Sequence, residues 1–409
     1  MEQIQAQKEP IIIKILRILL GCLFIFSGLS KAIDPIANAY QFGDYFHSFH
    51  MDIFQVFNLF LAYALTIAEF TLGVMMLFRV KMRITSLLYL LFMGFFFLLT
   101  AWLALAEYLE VHHGYDFGIV KDCGCFGKVI KLTNFGTFMK NVGLIIPTII
   151  IFIYRKRIPD IRLNSFFQWG IAAIAIVICF FVQLYCQRHL PIIDFSDWKI
   201  GENVADGFID IPEKTETCYV YKDSTGNEIR MTEDEMMAKY ETDPDFFEGK
   251  GDPETEIKVI SELKRAPIQG FTMWTEPDST GQFSDCSSDL ISAKNNTPLF
   301  IVFMDRLDKT QADVFSSPTF KEIIKYCNEK GVDLVGLTNS SYEESVEFAK
   351  KNNIPFPIYR SECDPFKGPF IVRDAIHANP GILYIQNGIV KGKWAWRDFD
   401  KTVKTLKTK

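Results

Sequence analysis

Five runs of apolar residues fill the first half of this 409-residue chain. They cover 11–29, about 54–78, 84 to about 106, about 138–154 and about 166–186. Each is close to the ~20 residues that carry a helix across a bilayer. In lipid a backbone must satisfy its own hydrogen bonds, so each run is confined to a helix. Hydrophobic residues make up 49% of the chain and include 38 Phe, but after Cys186 the long runs stop and charges take over. The pattern predicts a membrane half joined to a water-soluble half. The first run resembles a signal sequence in length. It lacks a small-residue cleavage site and leads into Lys31-Ala32-Ile33-Asp34-Pro35, so it reads as a retained anchor, with Lys14 and Arg17 snorkelling at its start.

Basic residues in short loops set the expected orientation. Lys8, Lys14 and Arg17 flank the start of span one, Arg79, Lys81 and Arg83 follow span two, and Arg155, Lys156, Arg157 and Arg162 follow span four. These ends are expected in the cytoplasm. The first and third loops balance lysines against Asp34, Asp44, Asp52, Glu110, Asp116 and Asp122 and are expected outside. Five spans then place the N-terminus inside and everything after the fifth outside, in a periplasmic or other extracytoplasmic compartment of an inner membrane. The net charge of −6, with no basic block, argues against a nucleic-acid partner and leaves membrane lipid as the surroundings.

Asp122-Cys123-Gly124-Cys125-Phe126-Gly127 lies in the third loop. A bridge between Cys123 and Cys125 would close a small, strained ring, which Gly124 has the conformational freedom to permit. Strained disulfides exchange more readily than relaxed ones. The pair therefore reads as an exchanging dithiol. The alternatives are inert loop thiols, or a zinc or copper site completed by His112 and His113, although that spacing matches no familiar zinc module. Of nine cysteines, Cys22 and Cys179 fall inside spans, leaving seven outward. An odd number cannot all pair within one chain.

Two charges lie within the spans. By helical rise Glu69 sits ~15 Å above the cytoplasmic edge and Lys31 ~21 Å above it. A lysine side chain covers such a gap, and intramembrane charges are costly unless paired. The two are expected either to support a proton or redox-acceptor site between helices, or simply to fix helix register.

Several segments resemble one family. Phe26-Ser27-Gly28-Leu29-Ser30-Lys31 with Asp34-Pro35, and Ala68-Glu69-Phe70-Thr71-Leu72-Gly73, resemble the first two helices of DoxX-like membrane proteins. Asp122 to Gly127, Leu132-Thr133-Asn134 and Lys140-Asn141 resemble the MauE branch. The resemblance spans roughly 11–155 and implies a four-helix membrane bundle concerned with redox. It implies either disulfide formation in a secreted client beside a thioredoxin-like partner, or oxidation of sulfur compounds coupled to a quinone.

In the soluble half, 217–221 and 227–231 read as a hairpin, and Thr232 to Glu235 as a capping box. From 298 onward the order strand, helix, strand, helix, hairpin predicts an α/β thioredoxin-like fold. Asn379-Pro380-Gly381 resembles that fold's cis-proline turn, with Pro380 the candidate. The region 335–357 resembles its TlpA/peroxiredoxin-type branch. Redox-active members carry Cys-x-x-Cys where the first strand meets the first helix. Here that stretch reads Asp305-Arg306-Leu307-Asp308-Lys309-Thr310-Gln311, with no thiol.

The expected organisation is a cytoplasmic tail (1–10), a DoxX/MauE-like four-helix bundle (11–155), a fifth transmembrane helix (156–187), a mixed α/β linker region (188–295) and a thioredoxin-like domain lacking Cys-x-x-Cys (296–409). Three functions compete. The first is a membrane thiol–disulfide redox protein whose partner is an outward client or thiol-redox protein, with a quinone as the candidate acceptor. The second is a non-enzymatic scaffold whose degenerate domain binds a client. The third is a DoxX-like subunit of a sulfur-compound:quinone oxidoreductase.

Overall fold

The computed structural model describes residues 9–115, 117–118, 120, 132–208, 211–222, 228–247, 253–261, 264, 266–268, 271–277, 281–292, 297–361 and 371–407. Cys123, Cys125 and Cys363 lie outside this set.

Five helices are long and apolar enough to cross a membrane. They are α1 (Ile11–Ala32), α3 (Asn58–Phe78, extended at its start by a 3-10 turn over Asp52–Phe57), α4 (Met82–His113), α5 (Asn134–Tyr154) and α6 (Ser165–Arg188). Between α1 and α3 runs a further helix, α2 (Pro35–Ser48), in a stretch read from sequence only as a loop. Its signal is local: Asp34 caps the first turn by accepting from the Ala37 N–H at 3.1 Å, and Pro35 takes the first helical position, where its missing N–H costs nothing.

Helices α1 and α3 approach closely through small residues. A Cβ on Gly28 would come within 2.8 Å of the Phe70 backbone, and one on Gly73 within 2.7 Å of the Ile25 nitrogen. In lipid, where solvent does not drive helices together, such close packing supplies the attraction. Tyr89 of α4 completes this core, stacking on Phe24 at 3.9 Å and donating to the Leu20 carbonyl at 2.9 Å. Arg17 does not snorkel as its position near the start of the span suggested. It is 3% exposed and donates to the carbonyls of Met76 and Leu77 at 3.0 and 2.6 Å, with Glu9 at 2.8 Å. The last carbonyls of α3 lack helical partners, and a guanidinium satisfies two of them at once.

The soluble half holds two sheets. Strands β1 (Lys214–Lys222), β2 (Glu228–Thr232) and β3 (Glu254–Ser261) form an antiparallel sheet in the order β2-β1-β3. The predicted capping box at Thr232 and Glu235 is present. The larger sheet comprises β4 (Leu299–Met304), β5 (Asp333–Thr338), β6 (Ile358–Arg360), β7 (Gly381–Gln386) and β8 (Ile389–Ala395), ordered β6-β5-β4-β7-β8. Strands β4, β5 and β6 run parallel, joined by the helices Pro318–Lys330 and Tyr342–Asn352, while β7 and β8 are antiparallel. That order and those crossovers make the fold thioredoxin-like. The β7–β8 turn places Asn387 and Gly388 at φ 53° and 72°, the positive pair that a two-residue Asn-Gly hairpin requires.

All six residues of β4 are buried, because both sheet faces are covered. Phe300, Val302 and Met304 pack with Phe320, Ile323 and Cys327 of the first crossover helix. Leu299, Ile301 and Phe303 face the other way, onto Trp198, Phe271, Met273 and Ile291. The stretch read as a linker region (188–295) thus supplies much of one layer of the domain's core, which Val372, Ala375 and Ile376 complete. The expected boundary at 295/296 cuts through that layer, since helices follow β4 and β5 on one face only and the opposite face needs cover from elsewhere.

Polar contacts join the soluble domain to the membrane bundle. His377 Nδ1 lies 2.8 Å from Asp34 Oδ1, Arg373 Nη2 3.2 Å from both carboxylate oxygens of Asp44, and His189 Nδ1 2.8 Å from Asp398 Oδ2.

Candidate functional site

A cavity of about 280 Å³ opens inside the bundle, between α1, α2, α3, α4 and α5. Its walls are largely apolar: Leu23 and Phe24 from α1, Leu65 from α3, Phe92, Met93 and Phe96 from α4, and Leu144 from α5. Helix α2 contributes Asn38, Gln41, Phe42, Tyr45 and Phe46, spaced at three and four residues and so on one helical face.

Polar groups interrupt this apolar wall. Lys31 Nζ lies 2.7 Å from Glu69 Oε2 and 2.8 Å from Ser27 Oγ, and the two charged side chains are each 8% exposed. Asn38 donates to the Lys31 carbonyl at 2.8 Å, tying the start of α2 to the same point. Asn141 donates to Thr100 Oγ1 at 3.0 Å across α4 and α5. Thr66 is fully buried, lines the cavity one helical turn from Glu69, and its hydroxyl has no partner among the described residues. An orphaned hydroxyl in low dielectric is costly to leave unmet.

The three sequence motifs are far apart in the chain but converge here. Ser27 and Lys31 come from the first, Glu69 from the second, and Lys140 and Asn141 from the third. The contribution of α2 and of Thr66 was not visible in the sequence. The apolar spacing of α2 was available as a signal, but nothing local said which partner that face meets.

His112 and His113 sit in the last turn of α4 rather than in the following loop, with His112 Nδ1 3.0 Å from the Tyr108 carbonyl and its ring stacked on Tyr108 at 4.3 Å. Among the described residues no three His, Cys, Asp or Glu side chains are grouped to hold a metal. The Cys123–Cys125 partners proposed for those histidines lie outside the described residues.

In the soluble domain the Asn379–Pro380 peptide bond is cis. The stretch that would carry Cys-x-x-Cys is instead hydrogen-bonded to that turn. Thr310 Oγ1 donates to Asn379 Oδ1 at 2.8 Å, Asn379 Nδ2 donates to the Arg306 carbonyl at 2.9 Å, and the Gln311 N–H donates to the Asn379 carbonyl at 3.3 Å. The described thiols nearby are not primed for exchange. Burial pushes Cys327 up to about 12 and Cys286 up to about 11, and Cys286 donates to the Met273 carbonyl at 3.1 Å. A reactive thiol needs the opposite shift. Cys186, Cys218, Cys286 and Cys327 are all unbridged.

Residues 9–154 match the family model of the methylamine utilisation protein MauE. No curated protein sequence matches the chain. Solved structures similar to its C-terminal part include a candidate protein disulfide isomerase from Bacteroides thetaiotaomicron (17% identity, 34% of this chain and 87% of that one, TM-score 0.25). Others are the peroxidoxin BcpB from Mycobacterium tuberculosis (18%, 34% and 96%, 0.25) and the bacterioferritin comigratory protein of Xanthomonas campestris (15%, 34% and 89%, 0.24). The strand order, not these likenesses, carries the assignment of the fold. The chain is thus a multi-pass membrane protein with a MauE-type N-terminal region and a thioredoxin-like C-terminal part.

Proposed function

We propose that this protein oxidises dithiols at the outer face of the cytoplasmic membrane, with Cys123 and Cys125 as the exchanging pair. The observation that carries the reading is the convergence of Ser27, Lys31, Glu69, Lys140 and Asn141 on one apolar cavity, whose walls include α4 and α5, the two helices that flank Cys123 and Cys125 in sequence. In the reaction the client's thiolate attacks the Cys123–Cys125 disulfide. The mixed disulfide is resolved by the client's second thiol, which leaves the client oxidised and the pair as a dithiol. Two electrons and two protons must then leave the pair for it to act again.

The cavity suits a quinone as their acceptor. Its apolar walls match a ring and tail, and the orphaned Thr66 hydroxyl offers a donor to a carbonyl oxygen. A bound quinone would supply the two-electron sink. Lys31 would hold positive charge where negative charge develops, and Glu69 would keep that ammonium in place and present a carboxylate for proton exchange. The degenerate thioredoxin-like domain, with no thiol at its first strand–helix junction, serves as a docking module beside this centre rather than as an oxidoreductase.

Alkylation trapping in native membranes tests the reading. Cys123 and Cys125 should pass between dithiol and disulfide when the quinone pool or an outward thiol is perturbed. One of the single variants Cys123→Ser and Cys125→Ser should accumulate a mixed disulfide. A pair found in one fixed state under every condition would sink the exchange mechanism.

A further inference from the structure

Helix α2 has two working faces. One, carrying Asn38, Gln41, Phe42, Tyr45 and Phe46, closes the cavity. The other belongs to the soluble domain. Asp44 accepts from Arg373 at 3.2 Å through both oxygens, and the Arg373 guanidinium lies 4.8 Å from the centroid of the Tyr40 ring. At the N-cap, Asp34 Oδ1 meets His377 Nδ1 at 2.8 Å, and the His377 ring packs edge-on to Tyr40 at 5.9 Å. Tyr40 and Asp44 are one turn apart, on the side of the helix away from Phe42 and Phe46. Burial raises the Tyr40 hydroxyl above its usual range, and His377 is 6% exposed, whereas the Asp44 side chain stays 42% exposed at the rim of the junction.

The residues gripping α2 sit just before the cis-proline turn. Arg373 belongs to the short helix Ile371–Ala375, and His377 lies two residues before Asn379. The inner face of α2 is meanwhile tied to the charged pair, because Asn38 bonds the Lys31 carbonyl at 2.8 Å. Helix α2 therefore links the cis-proline edge of the domain to the roof of the cavity and to the backbone beneath Lys31.

We propose that α2 is a lid over the intramembrane cavity, latched shut by Arg373 and His377 of the soluble domain. Release of the domain at that edge opens the lid. The proposal rests on the reading of the cavity as an acceptor site, and it adds regulation of access to that site. Occupation of the cis-proline edge by a partner would then be coupled to entry of the acceptor through one helix with two positions.

Opening can be read without any acceptor. A Thr66→Cys probe, fully buried in the cavity, is labelled with N-ethylmaleimide in the full-length protein in nanodiscs, and its peptide is followed by mass spectrometry. Arg373→Glu sets like charges against Asp44 and should speed labelling about tenfold, the effect of losing a charged hydrogen bond. The exchanged pair Arg373→Glu with Asp44→Arg restores the attraction and should bring the rate back to within about twofold of the parent, as a specific latch requires. Equal rates in the parent and Arg373→Glu would overturn the lid. A rise that the exchanged pair fails to reverse would show general loosening and overturn the latch equally. Binding of decylubiquinone, measured separately on the parent, decides the acceptor reading, so the two ideas fail independently.

Discussion

Removing one member of the Lys31–Glu69 pair should cost far more than removing both. The two groups are 2.7 Å apart and each side chain is 8% exposed. At an effective dielectric of about 20 their attraction is roughly 6 kcal/mol. Set against it is the desolvation of two ions, several kcal/mol each, which the Ser27 hydroxyl at 2.8 Å offsets in part. The net worth of the intact pair is therefore small, but a lone buried ion keeps its desolvation cost and loses its partner. Lys31→Met or Glu69→Leu alone should destabilise the protein by ~3–5 kcal/mol, whereas the double substitution should be within ~1 kcal/mol of the parent. The coupling in the double-mutant cycle would then be at least ~5 kcal/mol. Unfolding in mixed micelles titrated with denaturing detergent, followed by tryptophan fluorescence, measures all four corners. Additive single effects, with coupling below ~0.5 kcal/mol, would refute the argument that these charges exist as a pair in a dry site.

Other expectations follow from the packing and charges. Gly28→Val or Gly73→Val should lower thermal stability by ~1–3 kcal/mol or abolish assembly, since the added carbons meet the backbones of Phe70 and Ile25; unchanged melting in detergent would contradict the close α1–α3 contact. Thr66→Val, which fills the same volume without the hydroxyl, should leave stability unchanged or higher while weakening decylubiquinone binding about tenfold by equilibrium titration. In the soluble domain Lys393 Nζ lies 2.5 Å from Asp194 Oδ2 with 5% and 24% of the side chains exposed, so Lys393→Met should cost ~2–3 kcal/mol in a denaturant titration. Burial pushes the Asp194 carboxyl up, but Lys393 and Ser196 more than reverse this and hold it below its ordinary value. Its contribution is thus fully present above the ordinary carboxylate range and disappears as pH falls through the depressed folded value. Asp194→Asn should be less stable than the parent at pH 7, and the gap should narrow as pH falls below about 4; a gap unchanged from pH 7 down to pH 2 would show that the aspartate acts through something other than its charge.

The membrane half was legible because its constraint is one-dimensional. A run such as 11–29 or 84–106 has no soluble alternative, and lipid permits it only a helix. The α/β order after residue 298 was equally local, since Pro318, Gly331 and Asn387-Gly388 mark where elements start and stop. Even the depths of Lys31 and Glu69 follow from counting helical rise. What they face does not. Their 2.7 Å contact, the cavity around them and the Thr66 hydroxyl in its wall depend on how α1, α3, α4 and α5 rotate about their axes, which interhelical packing decides and no single helix encodes. For the same reason Arg17 reads as a snorkelling residue near the start of a span and yet finds the open carbonyls of α3. Residues 198–291 show the principle in the soluble half. Nothing in their own pattern says that Trp198, Phe271 and Met273 cover a face of the large sheet, because that face is formed by strands whose first residue lies beyond them. Helix α2 belongs to both accounts. Its start is written at Asp34-Pro35, but its position between the cavity and Arg373 exists only once both halves have folded.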